Sequence, residues 1–186
     1  MRNSLTLAAL CAVAAPATAQ ERSASAQLEA ALADHSSVAD LLDAVGDCAA
    51  ETTASREAGA SGFEARGWVK LSGSAINLER SAPTSQSHAY VRRNISLSVT
   101  QLAGGTTCRI IAFLDGNTDR SSLTQGLQQD MEFIPISRES KFALRNPSVS
   151  DELLSQFFET RANLVRVKFE PEGAALGVNI VVAPNL

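Results

Sequence analysis

The sequence is poor in the side chains that carry most enzyme chemistry: its 186 residues include two histidines, three cysteines, one tryptophan and one tyrosine. His35 and His88 form no close ligand pair with each other or with any cysteine, so zinc-site spacing is absent. No cysteines stand two residues apart as in redox-active pairs. G-x-S-x-G and S-x-x-K are also missing, which removes the usual local signs of a serine nucleophile. Gly104-Gly105 and Gly59-Ala60-Ser61-Gly62 lack the lysine and flanking elements of a phosphate cradle. Acidic residues outnumber basic ones by 20 to 16, which argues against nucleic acid or anionic lipid as the main partner. Beyond the N-terminal twenty residues no apolar run approaches the roughly 20 residues of a membrane-spanning helix, so no span is expected.

What is present begins with an address. Arg2, the apolar stretch Leu5 to Ala15 and the small residues Ala17-Thr18-Ala19 have the order of an export signal cut before Gln20. Leu10 stands where a lipoprotein signal has a small residue before its cysteine, so lipidation of Cys11 is not expected. Cleavage leaves residues 20–186, one domain's length, destined for the periplasm or secretion. It also leaves Cys48 and Cys108, which an oxidising compartment would join.

Along the mature chain, Ser37 with Asp40 reads as a helix start, and Val38, Leu41, Leu42, Val45 and Cys48 fall on one helical stripe. Glu51 to Gly62 reads as a loop or a weak helical turn. Gly67 to Leu71 and Ala75 to Leu78 are strand candidates, and Ser81 to Ser87 a polar loop. Val91, Ile95, Leu97 and Val99 alternate with polar residues, predicting one strand from Ala89 that Arg93 interrupts on its apolar face. It should pair with Thr107 to Leu114 as an antiparallel hairpin. A helix from Asp119 or Ser121 to Asp130 follows, weakened by Gly126. Pro135 pushes Met131 to Ile136 towards a sheet edge, with Phe142 to Leu144 as a short partner strand. Val149, Leu153, Leu154, Phe157 and Phe158 suggest another helical stripe, and Leu164 to Glu170 with Leu176 to Ala183 a terminal hairpin. The sum is an α+β domain: a mainly antiparallel sheet, two to four helices on one face, and one disulfide.

Several residues invite a chemical reading. Ser87 and His88 could serve a hydrolase, although an exposed loop histidine explains His88 as well. Asp115, Asn117 and Asp119 begin like a calcium loop, but Arg120 and Gly126 occupy the positions that need glycine and glutamate. A capped strand-to-helix turn accounts for them more simply. Trp68 and Tyr90 could line a pocket, and Arg92, Arg93, Arg166 and Lys168 could form an anion patch or merely solvate a sheet face. The expected function is therefore a non-catalytic exported module that binds a small ligand or an envelope protein through its sheet face or loops. A small hydrolase and an inhibitor or chaperone-like partner of an envelope protein are the alternatives. No cofactor is expected, and the module should be a monomer or weak oligomer.

Overall fold

A computed structural model of the chain describes residues 26–30, 32–53, 61–71, 86–102, 105–118 and 120–185. The expected export signal, Cys11 and the Ala75 to Leu78 strand candidate lie outside these residues. After a short helical stretch at 26–30, Ser37 opens helix α1 (Val38–Thr53). Its Oγ accepts from the Asp40 backbone N–H at 3.1 Å and donates to the Asp40 carboxylate at 2.6 Å, closing the first turn. The hydroxyl's bond to the carboxylate, followed by Arg93, holds the Asp40 carboxyl below its usual range. Leu41, Ala44, Val45 and Cys48 form the fully buried stripe of α1.

One antiparallel sheet of eight strands takes up that stripe, in the order β1-β2-β3-β4-β8-β7-β6-β5. The strands are β1 (Val69–Lys70), β2 (Gln86–Arg92), β3 (Ile95–Leu102), β4 (Gly105–Asp115), β5 (Ile134–Pro135), β6 (Phe157–Glu159), β7 (Asn163–Glu172) and β8 (Ala175–Pro184). Helix α2 (Ser61–Ala65) precedes β1, α3 (Arg120–Gln129) follows β4, and α4 (Lys141–Arg145) and α5 (Asp151–Leu154) lie between β5 and β6. The core face of the sheet presents Leu97, Cys108, Ile110, Ala112, Val178, Ile180, Val182, Val165 and Val167 to α1 and α3, all closed to solvent. Gly126 permits a close α1–α3 approach, because Leu42 fills the space a side chain there would need. The buried pair Thr52 and Asn163 ties the end of α1 to the start of β7, with the Asn163 amide also donating to the Ala49 carbonyl at 3.4 Å.

The structure departs from the sequence expectations in four places. Glu51 to Gly62 is not simply loop: α1 runs on to Thr53, and α2 brings Phe63 into the core. The strand expected through Arg93 is two strands, because Arg93 (φ 47°) and Asn94 (φ 63°) form a two-residue left-handed turn that pairs Arg92 with Ile95. Phe142 to Leu144 is helix α4, started by Ser140, whose Oγ accepts from the Ala143 N–H at 3.2 Å. The stripe ending in Phe157 and Phe158 stops at Leu154. In β6 the two rings point to opposite faces, Phe158 into the main core and Phe157 against a second cluster around Ile136, Ala143 and Leu154.

That cluster corrects the expected layering as well. Phe157 and Leu164 share the face opposite α1, so among the described residues α1, α2 and α3 serve the main core while α4 and α5 serve a small one on the reverse side. Two glycines should separate under substitution. At Gly46 a methyl group would meet only Met131 Cε, at 3.6 Å, so Gly46→Ala should raise unfolding stability by about 0.5–1 kcal/mol. At Gly116 it would strike the Ala174 carbonyl oxygen, and Gly116→Ala should cost about 1–3 kcal/mol. Urea titration of both variants checks the contrast.

Candidate functional site

Trp68, Tyr90 and Arg92 converge beneath the C-terminal half of α1. Trp68 is 2% exposed and donates its indole N–H to Asp47 at 2.9 Å. The Arg92 guanidinium lies 4.5 Å from the centre of the Trp68 ring, and its Nη groups donate to Asp47 and to the Arg66 carbonyl, each at 2.9 Å. Arg92 Nε is buried with no hydrogen-bond partner among the described residues. Arg66 pairs with the buried Glu51 at 3.0 Å, and Phe63 meets Trp68 edge to face and packs on Tyr90 at 5.3 Å. The Tyr90 hydroxyl is pushed up to about 12, first by burial and then by Glu64 and Glu51. Arg93, on the exposed hairpin turn, pairs with Asp40 at 2.8 Å and Asp43 at 3.6 Å. All four candidates thus have intramolecular partners that fasten α1 and α2 to the β2 side of the sheet.

The other candidates are placed as follows. Ser87 and His88 are consecutive in β2, so their side chains leave opposite faces of the sheet. Ser87 Oγ meets Thr100 Oγ1 at 3.1 Å, while His88 is half-buried, and burial, then Lys70, pushes its imidazole pKa below the usual value. Asp115 Oδ1 accepts from the Asn117 N–H at 2.8 Å in an Asx turn; Asp119 lies outside the described residues. Among the described residues no three acidic, His or Cys side chains are grouped to hold a metal ion. Cys48 on α1 and Cys108 on β4 are both buried and lie 2.9 Å apart. Burial, then its contact with Cys108, pushes the Cys48 thiol well up, so it is not a thiolate at neutral pH and has little nucleophilic character.

The reverse face of the sheet is open at its centre. Strand register sets Ser98, Arg109, Val181 and Arg166 in one row across β3, β4, β8 and β7, and Ser96, Ile111, Asn179 and Lys168 in the next. Arg109, Arg166, Lys168, Asn179 and Val181 line a shallow cavity of about 290 Å³. Arg109 Nε donates to Asn179 Oδ1 at 3.3 Å. Arg166 donates from Nε and Nη2 to Gln156 Oε1 at 3.4 and 3.3 Å, and its guanidinium lies 5.6 Å from the centre of the Phe157 ring. Neither arginine is ion-paired with a carboxylate among the described residues, whereas Lys168 is paired with Glu170 at the margin. That tie, more than the nearby Arg109, holds the Glu170 carboxyl below its usual range.

Arg166 and Lys168 are visible in sequence as outward residues of an alternating strand. Arg109 is equally visible as the polar member between Cys108 and Ile110, but only the β4–β8–β7 order brings the three together. The large apolar side chains that stand well exposed, Val69, Leu102, Ile134 and Leu144, are spread over β1, β3, β5 and α4. Among the described residues the outermost strands, β1 and β5, are two residues long and make poor templates for an added strand.

The Asp47 network should be structural. Asp47 and Arg92 are about four-fifths or more buried, so Asp47→Ala should cost about 3 kcal/mol by stranding Arg92, read by urea titration with Trp68 as the only tryptophan reporter. No protein-family model matches this sequence, and no curated protein or solved structure matches it.

Proposed function

We propose that the mature chain is an exported, non-catalytic α+β module that takes a ligand on the open face of its sheet, its frame stapled by a Cys48–Cys108 disulfide. The observation that carries the binding reading is the Arg109, Arg166, Lys168 and Asn179 cluster. Two arginines are held there by neutral amides, and neither forms an ion pair with a carboxylate among the described residues, the nearby acid Glu170 being bound to Lys168. Solvated sheet faces usually mix charges of both signs, so this local excess in a chain of net negative charge favours a ligand surface. A hydrolase reading finds less support, since Ser87 and His88 diverge and Cys48 is a buried thiol.

The disulfide reading rests on the proximity of Cys48 and Cys108, unbonded in the structure but 2.9 Å apart, and on their being the two cysteines that signal cleavage would leave. Bond formation would release two protons and pass two electrons to the oxidant of the receiving compartment. It would close a loop of roughly 60 residues and stabilise the fold by about 4 kcal/mol in the chain-entropy account.

Intact mass of the processed chain should correspond to residues 20–186 less two hydrogens. Cys48→Ser, Cys108→Ser and the double variant should lose similar stability, by about 4 kcal/mol, because either single change removes the same bond. Recovery of the chain in the cytoplasm with both thiols alkylatable would overturn the exported, stapled reading. The binding reading is tested separately by amide chemical-shift mapping with soluble envelope fractions. Shifts confined to β4, β7 and β8 are expected, and shifts confined to the loops or the α1 side would refute it.

A further inference from the structure

We infer that the ligand of the open sheet face is a small organic acid or phosphate ester whose oxyanion is clamped over Val181 between Arg109 and Arg166. This rests on the sheet-face reading and adds the chemistry of the ligand. β8 alone separates β4 from β7, so the two arginine backbones stand two strand spacings apart, roughly 10 Å. Two extended guanidinium side chains can close that gap from either side on one group the size of a carboxylate or phosphate. Val181 between them offers an apolar floor that cannot compete for their donors.

Both arginines are held by neutral amides that leave donors over. Asn179 takes only the Nε–H of Arg109, so with respect to the described residues both Nη groups remain for an incoming oxyanion. Gln156 takes Nε and Nη2 of Arg166, which leaves Nη1, while Phe157 supports the plane of the guanidinium. Planar forks of this kind match carboxylate and phosphate oxygens geometrically as well as by charge. Lys168 supplies a third positive charge one row away, partly offset by Glu170. The cavity of about 290 Å³ is at the lower end of the range for small-molecule sites, which favours a compact acid over a folded acidic partner.

Calorimetry and amide shift mapping on the disulfide-intact mature chain test this with inorganic phosphate, citrate, a polyglutamate peptide and glucose. Phosphate or citrate should bind, shift the amides around Arg109, Val181 and Arg166, and bind more weakly as salt is added. Arg109→Gln and Arg166→Gln should each weaken binding tenfold or more with unchanged Trp68 fluorescence, and Arg166→Lys should fall between wild type and Arg166→Gln. Glu170→Gln should tighten it severalfold. Arg138→Gln, which alters an exposed arginine paired with Asp151, should change nothing. Binding by polyglutamate alone, or anion-induced shifts confined to Arg66, Arg92 and Arg93, would overturn the inference. So would glucose binding that both arginine variants leave intact. If neither anion binds but a component of envelope extract still shifts β4, β7 and β8, the oxyanion clamp fails while the sheet-face reading survives. If nothing shifts that face, both fail.

Discussion

The two-residue period of β4 couples the core to the candidate site. Cys108, Ile110, Ala112 and Leu114 point towards α1 and are closed to solvent, while Arg109, Ile111 and Phe113 point the other way and are half-buried. A one-residue slip of this strand would drive Arg109 under α1 and expose its core residues, so burial of one face fixes the address of the other. The α1 stripe enforces that register by supplying Cys48 opposite Cys108 and apolar side chains along the rest of the strand. The open face therefore inherits its geometry from a hydrophobic decision made on the other side of the sheet.

How far the sequence disclosed this depends on how local each signal was. The terminal hairpin is legible because Val165, Val167 and Phe169 alternate in step with Val182, Ile180 and Val178 around a tight turn at Gly173. The β2–β3 hairpin is not, because Arg93 and Asn94 occupy a left-handed turn without glycine, and the apolar alternation runs across it with only Arg93 out of place. Phe157 and Phe158 mislead for a different reason. Helical spacing from Val149 puts both near one stripe, yet the fold has two separate cores at that end, and a strand satisfies both at once. No period in the sequence reveals that a second core exists on the reverse face.

The candidate side chains divide along the same line. Trp68, Tyr90 and Arg92 carry ligand-like chemistry, but their fate depends on Asp47, Glu51 and Phe63, which α1 and α2 bring from elsewhere in the chain. An arginine stacked on an indole and paired with a carboxylate at 15% exposure has its charge largely used, whatever it resembles in isolation. Arg109 sits unremarked in an apolar strand and becomes a candidate only when β8 and β7 are set beside it. Residue type nominates a site, and the count of unmet donors decides between nominees.

The charge of the chain also shapes what such a site could do. The whole sequence carries a net charge near −4, so beyond the ~8–10 Å over which salt leaves fields unscreened, an approaching anion meets little attraction. Long-range steering is therefore weak, and capture must depend on contact: directed donors on guanidinium forks, already oriented by Asn179, Gln156 and Phe157. Preorienting those forks lowers the rotamer entropy lost on binding, which matters most for a ligand with few atoms to contribute. A rigid sheet is well suited to that task, because its strand spacing sets the gap between the arginines before any ligand arrives. Loops could present the same side chains only by ordering them at the moment of binding, at a cost that a single oxyanion could not easily offset.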